Sequence, residues 1–313
     1  MMAESLPERR ARLGLLLRVA VSVALVAWIL ARTPFREVAA AFRSADLRFL
    51  LLALAINPLG YLTSVRRWRL LIRAQGGDAS LSYLVRSFLV GVFFNNFLPS
   101  TIGGDAVRVV ATARTGVGRA RALAIVFVDR FMGLLALMLF AALGLTASGR
   151  LLARVPDLYG WVLGGTALLV LAAALLFLPS GRLARVPRAV AFQGKGRVLA
   201  GAFGWSLLMQ GLVVLNWYLL ARALHVTIPL AAFFLIVPLA LFVMMLPVSI
   251  NAIGVRENVW AFFLVAFGAP AAVGVALAWL DYGLVLLQAL VGGAVYAGQR
   301  GDAALPAVGE GVP

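Results

Sequence analysis

Asn95 to Arg108 reads NNFLPSTIGGDAVR, a break in an apolar run filled with groups that lipid cannot solvate. The break recurs: Leu246 to Glu257 reads LPVSINAIGVRE, and one offset of 148 carries Pro99 onto Pro247 and Arg108 onto Arg256. Asp105 before the first arginine and Glu257 after the second give each copy a carboxylate near its guanidinium. Upstream, Trp68 to Ala74 (WRLLIRA) matches Trp217 to Ala223 (WYLLARA) at an offset of 149. Downstream, each copy runs into an apolar helix with an acid ahead of Gly-Leu, Asp129 in DRFMGL and Asp281 in DYGL. Four elements in one order point to an internal repeat rather than to the chance likeness of Leu-rich helices.

Composition sets the class. The chain is 63% hydrophobic with a mean hydropathy of +0.99, and its charge is confined to short stretches, which is the signature of a polytopic membrane protein. There is no cysteine, so neither a disulfide framework nor a Cys-based metal or redox site is available. His225 is the single histidine and cannot form a His cluster. The net charge of +16 is almost all arginine, with Lys195 the one lysine. Phosphate recognition and a GC-rich coding sequence both account for that bias. No metal, cofactor or nucleic-acid partner is expected.

The expected fold is all-α, with about six spanning helices plus two re-entrant helical hairpins arranged as an inverted repeat. Residues 1–12 form a basic cytoplasmic N-terminus, and Leu13 to Ala31 is apolar over the roughly 20 residues a span needs; with no small-residue cleavage pattern after it, it reads as a signal anchor. Pro34 to Asp46 puts Phe35, Val38, Ala39 and Phe42 on one face of a helix lying in the interface. Leu47 to Val65 spans, kinked at Asn57-Pro58, and ends in Arg66, Arg67, Arg69 and Arg73, a cytoplasmic cluster. If Leu81 to Leu98 then crossed, Arg114, Arg119 and Arg121 would lie outside, against the positive-inside rule. A hairpin entering at Leu81, turning at Pro99 to Gly104 and returning by Ala113 avoids the conflict, and Gly103-Gly104 suits positive φ and close backbone approach.

Ala122 to Ala147, Leu158 to Leu178, Val198 to Leu220 and Pro270 to Ala297 supply the other spans, with Arg182, Arg185, Arg188, Lys195 and Arg197 in a second cytoplasmic loop. Pro229 to Ala266 forms the second hairpin, entering from the outside. Residues 13–297 are thus one membrane domain, with repeat one at about 47–147, repeat two at about 198–297 and a flexible tail at 298–313. Both termini are expected in the cytoplasm of a cell inner or plasma membrane. Arg32, Arg36, Arg43 and Arg48 in the first outer loop run against that orientation; an interfacial helix accommodates them if the arginines snorkel to headgroups.

Inverted repeats with broken helices near the midplane point to a transporter-type binding site. The candidate ligand contacts are Asn95, Asn96, Gly103, Gly104, Asp105, Arg108 and Asp129 in the first copy. Asn251, Gly254, Arg256, Glu257 and Asp281 serve in the second. Arg108 and Arg256 near half-helix starts suit a phosphate, which helix dipoles and backbone N–H groups also favour. A plainer reading makes Arg108–Asp129 and Arg256–Asp281 internal ion pairs that lock each hairpin; a locking pair that opens serves both. Of the neighbours Asp129 and Arg130, on different helix faces, Asp129 is the one expected to face the cavity. Asn95 and Asn96 read as caps for the turn. Trp68 and Trp217, beside arginines at helix ends, read as interfacial anchors.

These residues resemble the flippase-like transmembrane family typified by the membrane region of lysylphosphatidylglycerol synthases, which also occurs in stand-alone integral membrane proteins. Arg66 to Leu71, NNFLPSTIGGDAVR, VDRFMGL and LPVSINAIGVRE carry the resemblance, which covers roughly Leu13 to Ala297. It implies movement of lipids or lipid-linked headgroups between leaflets, and not the synthase reaction, whose soluble aminoacyltransferase domain a chain ending at Pro313 is expected to lack. The second motif departs from the family by Ala252, where another glycine is expected.

The expected function is a lipid flippase that binds a phospholipid or polyprenyl-phosphate headgroup in a midplane cavity. No nucleotide-binding loop is present for ATP to drive it, and Asp129 and Asp281 leave proton coupling open. The alternatives are a membrane-embedded transferase using Asp105 or Glu257 as base, and a non-transporting accessory subunit of a lipid or glycan biosynthetic enzyme. No DxD motif, Ser triad or His base supports the first, so an enzyme is not expected.

Overall fold

The computed structural model describes residues 35–97, 103–147, 149, 157–177, 192, 195–246 and 249–298. The basic N-terminus, the expected first span, Pro99, Pro247, Arg182 to Arg188 and the C-terminal tail lie outside them. The described chain is all-helical: α1 (Phe35–Arg43), α2 (Leu47–Ala74), α3 (Leu81–Phe97), α4 (Gly103–Thr112), α5 (Arg119–Gly144), α6 (Leu158–Phe177), α7 (Gly196–Ala223), α8 (Leu230–Met245), α9 (Val255–Ala266) and α10 (Ala271–Ala297). Helices α2, α5, α7 and α10 are long and apolar enough to cross a membrane. Large apolar side chains stand exposed along α2, α6 and α10, among them Leu51, Trp161, Leu168 and Leu290. In water such a belt would aggregate; against acyl chains it is the ordinary surface of a membrane protein.

The hairpin helices are shorter. At 1.5 Å per residue, α3 runs about 25 Å, α4 about 15 Å, α8 about 24 Å and α9 about 18 Å, each less than the roughly 30 Å of a hydrocarbon core. Helix α4 packs back along α3, and α9 packs on α8. The first pair touches most closely where a Cβ on Gly104 would lie 2.5 Å from the Gly91 carbonyl oxygen, so glycine there serves close approach. Neither Gly103 nor Gly104 has a positive φ; both are ordinary first-turn helix residues. The left-handed backbone sits in the second hairpin instead, at Asn251 (φ 51°), Ala252 (φ 55°) and Gly254 (φ 83°). Asn tolerates that region, whereas Ala252 carries a cost of about 1–2 kcal/mol, which is why the motif's missing glycine matters.

The two halves pack reciprocally. Helices α2 and α7 run antiparallel: Asn57 Nδ2 donates to Asn216 Oδ1 (3.0 Å) and Arg67 Nη1 donates to Ser206 Oγ (2.7 Å). The offset of 149 that carries Trp68 onto Trp217 carries Asn57 onto Ser206 and Arg67 onto Asn216, so these two bonds are images of one another. Toward the helix ends the same holds for Asp46 N to the Ala223 carbonyl (2.9 Å) and Lys195 Nζ to the Ala74 carbonyl. Beyond this pair, α3 packs on α10 and α8 on α5, each hairpin's first arm against the last helix of the other half. Gly144 and Gly292 make those crossings possible, because a Cβ on either would strike backbone of the facing arm.

Trp68 and Trp217 are not interfacial anchors. Both are buried in the hydrophobic core, Trp68 in one cluster and Trp217 in another. Trp68 Nε1 donates to Thr112 Oγ1 on α4 (2.9 Å), and Trp217 stacks on Trp260 of α9 with ring centroids 3.9 Å apart. Each tryptophan therefore seats the second arm of its own hairpin. Helix α1 places Val38 in the core and packs Ala41 and Phe42 against it, leaving Ala39 outside.

Candidate functional site

Asp129 has no exposed surface and accepts three hydrogen bonds from two arginines. Arg67 grips it bidentately, Nε to Oδ1 at 2.6 Å and Nη2 to Oδ2 at 3.1 Å, while Arg108 Nη2 reaches Oδ2 at 2.8 Å. Both arginines are buried, at 4% and 6% exposure. The expected Arg108–Asp129 pair is present, and it is one side of a triad with a formal charge of +1. The Arg67 guanidinium packs over Gly133, one turn after Asp129, in ordinary van der Waals contact, 3.5 Å from where a Cβ would stand. Arg108 lies over the rings of Trp68 (4.8 Å) and Phe88 (5.9 Å), and its Nε is buried without a partner.

The triad lines a cavity of about 170 Å³ together with Ser64, Asn95, Gly104, Arg130 and Met209. Arg130 faces this cavity as well as Asp129, contrary to the expectation that only one of them would. Its guanidinium pairs with Asp105 at 2.6 Å, so Asp105 serves Arg130 and not Arg108. Asn95 caps α4 by accepting from the Gly104 N–H (2.8 Å).

A second cavity, of about 240 Å³, gathers Asn57, Tyr61, Asn216, Trp217, Arg256 and Asp281. Its arginine and acid are not ion-paired: Arg256 lies over the Tyr282 ring at 4.5 Å. Two sequence differences accompany this: Asn216 stands where an offset of 149 would carry Arg67 and brings no charge, and Asp281 lies 152 positions after Asp129, about one helical turn beyond the 148 that relates Arg108 to Arg256. Glu257 does not reach Arg256; its Oε2 accepts from the Gly254 N–H (2.8 Å), capping α9, and its Oε1 accepts from Trp279 Nε1 (3.2 Å). Met209 lines both cavities and stands between them. Asn251 Nδ2 donates to Asn96 Oδ1 at the end of α3 (3.2 Å) and lies 3.3 Å from the Tyr282 hydroxyl. Of the candidate residues, Asn95, Gly104, Arg108 and Asp129 line the first cavity and Arg256 and Asp281 the second, whereas Asn96, Gly103, Asp105, Asn251, Gly254 and Glu257 line neither.

The residue that sequence reasoning missed is Arg67, counted with Arg66, Arg69 and Arg73 as part of a basic loop cluster. A signal was available. Ser64, Arg67, Trp68 and Leu71 fall at i, i+3, i+4 and i+7, one face of a helix, and that face is the buried one. Tyr61 and Met209 gave no such signal, because a tyrosine or a methionine in a span reads as ordinary lining. Among the described residues no group of three or more His, Asp or Glu side chains is placed to hold a metal ion.

Comparison with known proteins finds membrane proteins. The model of the family described as lysylphosphatidylglycerol synthase TM region matches residues 15–292. A UPF0104 membrane protein of Pyrococcus horikoshii is 27% identical over 114 residues, 36% of this chain. The matched stretch spans 34% of that relative's length.

Proposed function

The chain belongs to the lysylphosphatidylglycerol synthase TM-region family, and from that premise we propose that it is a lipid translocase of the cell membrane. It takes the anionic headgroup of a phospholipid or polyprenyl phosphate at the arginine cavities and passes it between leaflets while the lipid's tails stay on the membrane-facing side of the protein. The observation that carries this reading is the uncompensated cation of the Arg67–Asp129–Arg108 triad, buried against a cavity with Arg108 Nε unpartnered. A buried excess charge is expensive in a membrane, and a lipid phosphate supplies both the missing charge and the missing acceptor. Asp105 bonded to Arg130 and Glu257 capping α9 favour translocation over a transferase that would use either as base; in this reading the lipid leaves chemically unchanged.

The proposal includes an inverted repeat with re-entrant hairpins and cytoplasmic termini. Antiparallel α2 and α7, with contacts that exchange under the repeat offset, are related by a two-fold axis normal to the helices. Such an axis lies in the membrane plane, so α3–α4 enters from one face and α8–α9 from the other. Single cysteines at Arg114 and Pro270 should then be labelled by an impermeant maleimide from opposite sides of sealed vesicles; labelling from one side sinks the inverted arrangement. For the activity, proteoliposomes carrying acyl-labelled phosphatidylglycerol or phosphatidylcholine are quenched from outside with dithionite. The anionic lipid is expected to exchange faster, and thin-layer chromatography to recover it intact. Exchange no faster than in protein-free vesicles, or conversion to a new lipid, overturns the translocase reading.

A further inference from the structure

Between α2, α3 and α10 runs an apolar groove of about 450 Å³, lined by Leu62, Val85, Leu89 and Val291, that neither cavity explains. It adjoins both: Phe88 lines it and the first cavity, and Tyr61 lines it and the second. Its polar groups meet at one place. The Tyr61 hydroxyl donates to Gln288 Oε1, while Gln288 Nε2 is buried with no partner. A buried amide N–H without an acceptor costs about 1–3 kcal/mol, so this groove calls for an occupant with one acceptor and a long apolar body.

We infer that the groove seats one acyl chain of the lipid whose headgroup occupies the arginine cavities, with Gln288 Nε2 donating to the ester carbonyl at the head of that chain. The inference rests on the headgroup reading above. A partner helix, 10–12 Å across and with its carbonyls already bonded, neither fits a groove of this volume nor supplies the acceptor. The other half of the molecule gives a control. An offset of 149 carries Leu62 onto Gly211, and one of 148, which also pairs Gly144 with Gly292, carries Phe140 onto Gln288. There the Phe140 ring lies 3.9 Å from where a Gly211 Cβ would be, edge-on to Phe234 at 5.0 Å. The protein fills that space with its own aromatic side chain and leaves the Gln288 groove open, so the open one is a site and not a by-product of the repeat.

The test uses the full chain in proteoliposomes containing phosphatidylglycerol with a diazirine midway along one acyl chain. Photolysis and peptide mapping should place at least five-fold more adduct on Leu62, Val85, Leu89 and Val291 than on the lipid-exposed Leu168. Leu62→Trp and Val291→Trp, at positions 37% and 54% exposed, fill the groove from two helices without displacing buried side chains. Each should cut the adduct at least five-fold. Chain-free glycerophosphoglycerol, followed by calorimetry, should bind both variants as it binds the wild type. Adduct spread evenly over the lipid-facing helices, or unchanged by both tryptophans, overturns the groove. Wild-type protein that fails to bind glycerophosphoglycerol while its groove is still labelled overturns the headgroup reading and leaves the chain site standing.

Discussion

Asp129→Ala should lower the stability of the folded protein by about 3–5 kcal/mol, the usual loss when one partner of a buried charge pair is removed. The triad makes this variant worse than a simple pair deletion. Arg67 and Arg108 are both buried and both aim at the same carboxylate; without it, two guanidinium ions face each other with only Ser206 Oγ left as an acceptor between them. Thermal unfolding in detergent, followed by size-exclusion chromatography, measures the loss. The double variant Asp129→Ala/Arg108→Ala should recover part of it, because only one unpaired cation remains. A double variant less stable than the single one would show that the excess charge is not what destabilises. Asp129→Asn should recover only part of the loss, since its Oδ1 still accepts from one guanidinium while its Nδ2 turns N–H donors toward groups that are themselves donors only.

The helix break between Phe97 and Gly103, the Arg108–Asp129 pair and the Asn95 cap were legible in the sequence, because each depends on local chemistry. Proline ends a helix, glycine allows close approach, and an acid within a span needs a cation. What the sequence left hidden depends on rotation about a helix axis. Arg66 and Arg67 are neighbours in the chain and separated by about 100° around α2, so one faces out while the other reaches Asp129. Counting charges by loop treats them as equal. The tryptophans failed for the same reason: at a span end, beside arginines, Trp68 has the composition of an anchor and the orientation of a core residue. The unequal charge of the two cavities was legible in principle, since Arg67 aligns with Asn216, but only once Arg67 is known to face inward.

That inequality separates a ligand-binding role from a locking role. Arg108→Ala removes the excess cation and leaves Asp129 held bidentately by Arg67, a neutral buried pair. Stability should therefore change little, whereas a group that served only to lock α4 against α5 would destabilise on removal. Leaflet exchange of acyl-labelled phosphatidylglycerol should nonetheless fall roughly 10- to 100-fold, the worth of about 1.5–3 kcal/mol of charge-assisted hydrogen bonding to the headgroup. Arg256→Ala should fall at least as far, because its cavity has no second arginine at the position of Asn216 and would be left with Asp281 facing the phosphate. Arg108→Lys keeps the charge but loses the planar fork, and belongs between wild type and Arg108→Ala. Exchange at the wild-type rate in both alanine variants would remove the arginines from the transport path. A fall in exchange that merely tracks a fall in thermal stability would reduce them to hairpin locks.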